Sequence, residues 1–150
     1  MNTNVRKMCF NGIICAVYIL LTMLNPLSYG MLQIRISEGL ALLPFYDRKY
    51  ITPIVLGVAI ANFFSPLGLL DVIAGLLVAA IAYSLSKYIK NIIVNAVIYA
   101  CLCGLIIGAE LYYVVNAPFL MTSLSIFASQ IIIAIISMVI LKPIVKRSEV

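Results

Sequence analysis

The chain has 150 residues, of which 65% are hydrophobic and 10% are charged, with 10 Lys and Arg, 5 Asp and Glu, and no His or Trp. Soluble domains are about 45–50% apolar and about 25% charged, so this composition excludes an ordinary soluble fold. Because about 20 apolar residues cross a bilayer, the length allows at most about six or seven spans. The missing His removes the side chain that most often acts as a general base or metal ligand near neutral pH.

We predict a single all-α membrane domain over residues 1–150, a bundle of six transmembrane helices. The first helix, residues 8–28, lacks a small-residue cleavage site before its helix-ending Pro26, so we expect a retained helix and not a signal peptide. The second, residues 32–46, is short and carries two charges, which the bundle must shelter. The other four predicted helices span residues 50–64, 69–86, 92–115 and 120–141.

The basic residues predict the orientation of this bundle. With the N-terminus inside, the four inner segments hold nine of the ten Lys and Arg, and the three outer turns hold none. Loops on the cytoplasmic side carry an excess of Lys and Arg. The pattern therefore predicts that both termini lie on the cytoplasmic side of the cell membrane, an N-in/C-in topology. These residues are topology signals and do not indicate a patch that binds nucleic acid.

Four charged residues, Arg35, Glu38, Asp71 and Glu110, lie within predicted helices and at similar depth near the outer face. A charge inside the bilayer costs at least a few kcal/mol, so such residues are by default hypotheses for a functional site. Three acids against one base leave about two negative charges uncompensated, and we therefore expect an outward-facing pocket for a cationic or donor-rich ligand.

Three of the four charges also have a structural interpretation. Arg35 and Glu38 stand at an i, i+3 spacing and could form a salt bridge. Asp71 lies near a helix N-terminus, where the helix dipole stabilises a carboxylate. Glu110 lies near a helix C-terminus, where the dipole opposes a negative charge, and it is the strongest candidate for a site residue.

Asn62, Tyr112 and Gln130 lie at a similar predicted depth and could help to hold a planar heterocycle, although helix packing or an interfacial position would explain each alone. Gly12 and Ala16 form a small-x-x-x-small pair that could dock a partner helix or serve ordinary packing.

The sequence contains no phosphate-binding loop, nucleophile elbow or zinc motif, so we expect no enzymatic activity and neither a cofactor nor a metal in this chain.

Two segments resemble the signature of the QueT family: residues 35–45 are RISEGLALLPF and residues 61–75 are ANFFSPLGLLDVIAG. The resemblance implies a substrate-binding S-component of an energy-coupling-factor (ECF) transporter, which captures a queuosine precursor from outside. The substrate would be a 7-deazaguanine such as 7-aminomethyl-7-deazaguanine, or queuine or queuosine. The implied partners are a shared transmembrane coupling subunit and two cytoplasmic ATPases, which hydrolyse the ATP. In such proteins the first helix contacts the coupling subunit through Ala-x-x-x-Ala, and here Gly12 replaces the first Ala.

A deazaguanine offers adjacent N–H donors to one carboxylate, and an aminomethyl group offers an ammonium to another. We therefore hypothesise that Glu110 or Glu38 binds the guanine-like edge, that Asp71 or the remaining Glu meets the ammonium, and that Arg35 orients its neighbour. The alternatives are a stand-alone proton- or ion-coupled transporter, an intramembrane enzyme and a purely structural subunit.

Overall fold

The computed structural model describes residues 3–29 and 33–148, which form helices joined by short turns. This confirms the all-α class. Three short 3-10 helices cover Pro26–Tyr29, Ile36–Leu42 and Arg48–Tyr50. The α-helices are α1 (Thr3–Leu24), α2 (Leu43–Tyr46), α3 (Ile51–Phe63), α4 (Leu69–Leu85), α5 (Ile92–Val115) and α6 (Phe119–Ser148).

Three helical segments are long and apolar enough to cross a membrane: Val5–Leu24, Ile92–Val115 and Phe119–Pro143. Helix α4 is apolar but shorter. Helix α3 has 13 residues, which at 1.5 Å per residue gives about 20 Å, less than the roughly 30 Å of hydrocarbon in a bilayer. Large apolar side chains are exposed on every one of the longer helices, as expected of a protein whose surroundings are lipid.

The predicted boundaries of α3, α4 and α5 agree with the structure to within one residue. Helix α1 begins earlier than predicted and stops at Leu24, because the residue before a proline is disfavoured in the α conformation and Pro26 starts a separate 3-10 helix. Helix α6 runs on through Pro143 to Ser148, beyond the predicted end at residue 141.

The prediction of one continuous helix over residues 32–46 is wrong in its details. Residue 32 lies outside the described residues, and Arg35 has an extended backbone (φ −105°, ψ 103°). A 3-10 helix then covers Ile36–Leu42, and only Leu43–Tyr46 is α-helical. Pro44 has no N–H to donate to the preceding turn, which suits the first turn of an α-helix, and α2 accordingly begins at Leu43.

The 3-10 helix Ile36–Leu42 is nevertheless an interior element. It packs against both α1 and α6, and it buries five of its seven residues, including Glu38. Around it α1 packs on α3, α3 on α4, α4 on α5, and α5 on α6. The bundle therefore shelters this short polar segment, as its sequence requires.

Helices α3 and α4 approach closely at Gly75. A Cβ atom there would collide with the side-chain amide of Asn62 and would lie 2.8 Å from Cγ1 of Val58. The close approach brings Nδ2 of Asn62 to 3.0 Å from the backbone oxygen of Asp71. Gly75 thus allows the end of α3 to meet the start of α4.

We predict that Gly75→Ala destabilises the detergent-purified protein, because crowding a packed site costs about 1–3 kcal/mol. The matched control is Gly12→Ala on α1, where a Cβ meets nothing within 4 Å and helix propensity favours Ala by about 1 kcal/mol. In a thermal-unfolding measurement Gly75→Ala should lower the Tm while Gly12→Ala keeps or raises it. Equal Tm values for the two variants would contradict the close approach.

Candidate functional site

Arg35 is buried where several chain segments meet, with 3% of its surface exposed. Its Nε donates to the backbone oxygen of Ser28 at 2.8 Å, and Nη1 donates to Oδ1 of Asn62 at 2.8 Å. Nη2 lies 4.0 Å from Oδ1 of Asp71 and has no hydrogen-bond partner among the described residues. The ring of Tyr29 lies 5.6 Å from Cζ, within the range of a cation–π contact. The guanidinium is therefore fixed, but part of its donor capacity is unused.

Asp71 lies in the first turn of α4 and is 4% exposed. Its Oδ2 accepts a hydrogen bond from the hydroxyl of Ser65, which lies in the turn between α3 and α4. The helix N-terminus suits a carboxylate, and Arg35 supplies a counter-charge from a separate segment. The helix N-terminus and the positive charge of Arg35 both stabilise the ionised carboxylate of Asp71.

Glu38 accepts hydrogen bonds from two tyrosine hydroxyls. Tyr18 of α1 donates to Oε1 at 3.0 Å, and Tyr99 of α5 donates to Oε2 at 2.5 Å. The Arg35–Glu38 salt bridge does not hold: within residues 33–148, the acid that pairs with Arg35 is Asp71. The reason is local, since Arg35 has an extended backbone and the i, i+3 geometry of a continuous helix does not apply to it. The two side chains still interact electrostatically over a longer distance.

Glu110 is half-buried on α5, and both of its carboxyl oxygens are shielded from solvent. Neither oxygen has a hydrogen-bond donor in the part of the chain that the structure describes. Its carboxyl group is close enough to that of Asp71 for the two groups to interact electrostatically. Two neighbouring carboxylates repel each other, so this pair requires a shared proton or a cation.

The structure therefore brings Arg35, Asn62, Asp71 and Glu110 together. Tyr112 is not part of this cluster: its ring is 48% exposed and packs 5.2 Å from the ring of Tyr113, centroid to centroid. Residues two positions apart on a helix point in different directions, so Tyr112 does not share the face of Glu110.

Gln130, Gly12 and Ala16 also lie outside this cluster. Gln130 is buried on α6, seven residues from Ser137, whose hydroxyl lies beside Gly39. This spacing puts Gln130 on the face of α6 that packs against the 3-10 helix Ile36–Leu42. Gly12 and Ala16 are exposed on α1, and a Cβ atom added at Gly12 would meet nothing within 4 Å among the described residues.

Sequence reasoning did not single out the tyrosines beneath the charged cluster. The rings of Tyr83 and Tyr99 are nearly parallel, 18° apart, with centroids separated by 6.4 Å, and Phe45 packs edge-on against both. One sequence pattern could have found Tyr99: it precedes Glu110 by eleven residues, about three helical turns, and so shares its face. No comparable pattern points to Tyr18.

Two cavities lie outside the charged cluster. One of about 320 Å³ is lined mostly by apolar groups of α5 and α6, such as Leu105 and Phe127. The other, of about 350 Å³, lies between α3 and α4 and is lined by Arg48 and Lys87. Neither is lined by Arg35 or by any of the three carboxylates. Both cavities thus lie apart from the charged cluster.

Long apolar helices around a sheltered cluster of opposite charges define the class: a multi-pass membrane protein with a polar site inside a helical bundle. The family model described as QueT transporter matches residues 8–146. The queuosine precursor transporter QueT of Lactococcus lactis subsp. cremoris (strain MG1363) is 34% identical over 128 residues, which cover 74% of this chain and 75% of that protein. The chain therefore belongs to the QueT transporter family, a family of transporters and not of enzymes. No solved structure matches the chain.

We predict that Asn62→Ala destabilises the protein more than Asn95→Ala does. Asn62 bonds both to the guanidinium of Arg35 and to the backbone of Asp71, and leaving a buried charged group unsatisfied costs about 1–3 kcal/mol or more. Asn95 is equally buried but donates a single neutral hydrogen bond, to the backbone oxygen of Ile89. Thermal unfolding in detergent should give the larger loss of Tm for Asn62→Ala, and the reverse order would contradict the role assigned to Arg35.

Proposed function

We propose that this protein is the substrate-binding S-component of an ECF-type importer and that it captures a queuosine precursor from outside the cell. The substrate class is the 7-deazaguanines, such as 7-aminomethyl-7-deazaguanine, or queuine or queuosine. Membership of the QueT family and the name of the lactococcal relative support the substrate class. The observation that carries the site is the unpartnered carboxyl group of Glu110 beside Asp71.

The charges of the cluster favour a cationic ligand. Arg35 compensates one carboxylate, Asp71, and Glu38 already accepts two tyrosine hydroxyls. Glu110 has neither a cation nor a donor among the described residues. An ammonium group placed between Asp71 and Glu110 would relieve their repulsion and form charge-assisted hydrogen bonds to both.

The remaining carboxylate suits the heterocycle. Glu38 presents both of its oxygens to hydrogen-bond donors, and the aromatic rings of Tyr83, Tyr99 and Phe45 lie next to one another beside it. A ring N–H and an exocyclic amine could take the places of the tyrosine hydroxyls on the two oxygens. We assign Glu38 to the guanine-like edge, and Asp71 with Glu110 to the ammonium.

The proposal includes six membrane crossings with both termini inside. Arg48 precedes α3 and Lys87 follows α4, whereas Asn62 ends α3 and Asp71 begins α4. Arg48 and Lys87 thus lie at one end of this helix pair, and the charged cluster, called the carboxylate cluster below, lies at the other end. Since basic loops remain in the cytoplasm, the cluster belongs on the outer side, where a precursor arrives. Because Arg35, Glu38 and Asp71 are buried, substrate entry requires this outer end to open.

We predict that Glu110→Gln lowers the affinity for 7-aminomethyl-7-deazaguanine by about tenfold or more, because a hydrogen bond to a charged group contributes about 1.5–3 kcal/mol. Asp71→Asn and Glu38→Gln should weaken binding as well. Isothermal titration calorimetry on the purified protein measures each variant, and guanine and common vitamins serve as comparison ligands.

The matched control is Asp47→Asn. Asp47 is 38% exposed, pairs with Lys49 at 2.8 Å, and lies at the basic end of the bundle. The affinity of the Asp47→Asn variant for 7-aminomethyl-7-deazaguanine should equal that of the unaltered protein. Unchanged affinity in all three site variants would overturn the pocket.

We propose further that the exposed Gly12 and Ala16 surface of α1 docks the transmembrane coupling subunit, which brings two ATPases that hydrolyse the ATP. Small residues allow close approach of two helix backbones. The double variant Gly12→Leu/Ala16→Leu should fail to co-purify with these subunits, while Gly12→Ala should co-purify normally. Retention of the partners by the double Leu variant would show that this docking surface is wrong.

The adjacent carboxyl groups of Asp71 and Glu110 also support a second candidate, a stand-alone proton- or ion-coupled transporter, because such a pair can exchange a proton. Reconstituted vesicles distinguish the two. Uptake of the precursor by vesicles that contain this protein alone would favour the second candidate, and uptake that needs the ATPase subunits and ATP would favour the ECF type.

A further inference from the structure

The cavity between α3 and α4 has a charged mouth and an apolar interior. Its volume is about 350 Å³, and it lies at the basic end of the helix pair, away from the carboxylate cluster. Arg48 approaches it from the start of α3, and Ser84 and Lys87 from the end of α4. Farther from this end, Val55 of α3 and Leu76 of α4 line the same cavity.

The spacing of the lining residues explains this gradient. On α3, Ile51 and Val55 are one turn apart, and on α4, Leu76, Ala80 and Ser84 follow one another at four-residue intervals, with Lys87 in the turn after the helix. Residues at these intervals share one helix face. The two faces meet in a groove that is cationic where the helices meet their loops and apolar toward the middle of the bundle.

The two cations of the cavity have no acidic partner in the described part of the chain. The nearest acid in sequence, Asp47, is paired with Lys49 at 2.8 Å. A groove with two uncompensated positive charges and aliphatic walls complements an anion that carries a hydrocarbon chain. Basic pockets between transmembrane helices on the cytoplasmic side bind lipid headgroups in this way.

We propose that this cavity binds an anionic phospholipid. The phosphate lies between Arg48 and Lys87, and the hydroxyl of Ser84 donates to it. The first methylene groups of the lipid pack on Ile51 and Ala80. A volume of about 350 Å³ is at the low end of the roughly 300–1,000 Å³ of ligand sites, so it accommodates a headgroup and the start of the chains but not a whole lipid. The chains continue over the exposed apolar side chains of α3 and α4, such as Leu56 and Leu77.

Native mass spectrometry of the detergent-purified protein tests the proposal, with dioleoylphosphatidylglycerol as the probe. Its affinity should exceed that of dioleoylphosphatidylcholine at least tenfold. The double variant Arg48→Gln/Lys87→Gln should lose this preference. The matched double variant Lys90→Gln/Lys142→Gln, which removes the same charge from exposed residues outside the cavity, should stay within twofold of the unaltered protein.

Two further arms separate a lipid site from a simple anion site. Ala80→Leu fills the apolar part and leaves both cations in place, so it should weaken phosphatidylglycerol binding severalfold. Glycerol 3-phosphate, which carries the same phosphate without acyl chains, should bind at least tenfold more weakly than the lipid. Equal affinity of glycerol 3-phosphate and the lipid, equal affinity of the two lipids, or equal losses in the two double variants would each overturn the proposal.

Discussion

The burial of one guanidinium group organises one end of this protein. An arginine placed in the interior must have its charge and its donors satisfied, since an unpaired buried charge costs several kcal/mol. Arg35 has its charge paired by the carboxylate of Asp71, and it donates to a carbonyl of Ser28 and to the amide of Asn62, while Nη2 has no hydrogen-bond partner among the described residues. These three partners come from different segments, so one side chain connects the 3-10 helix after α1, the end of α3 and the start of α4.

In that arrangement Arg35 forms an ion pair with Asp71, at 4.0 Å, and acts on Glu110 only over a longer distance, so Glu110 has no ion pair among the described residues. The contrast with Glu38 is informative, because Glu38 is deeply buried yet has a donor on each oxygen. The bundle therefore supplies its own hydrogen-bond donors to Glu38, but it supplies none to Glu110 among the described residues. The unpartnered oxygens of Glu110, beside a second carboxylate, fit a position that a ligand completes.

Much of the fold could be predicted because lipid-facing helices have a strong sequence pattern. The runs that became α3, α4 and α5 are bounded by turn residues and charges, and their ends agree with the structure closely. The prediction of a continuous second helix was wrong because hydropathy contains no information about the long-range hydrogen bonds of Arg35 or about the effect of Pro44 on helix geometry. A charged segment of this kind takes its shape from its partners in the bundle.

Part of the candidate site could likewise be predicted from the sequence, and part of it could not. Charges within apolar helices stand out from sequence alone, and four of the predicted residues meet in the structure. The tyrosines that hold Glu38 are separated from it by 20 and 61 residues, and no local pattern encodes such contacts. Tyr112 was chosen for its depth, but depth does not specify the helix face on which a side chain lies.

We propose that the carboxyl groups of Asp71 and Glu110 bind the cationic group of the ligand. The most direct measurement compares the affinity of the unaltered protein for 7-aminomethyl-7-deazaguanine with that for its 7-hydroxymethyl analogue, which has nearly the same size but no charge. Calorimetry at neutral pH should show the aminomethyl compound binding at least tenfold more tightly. Equal affinity, or a preference for the neutral analogue, would contradict the claim.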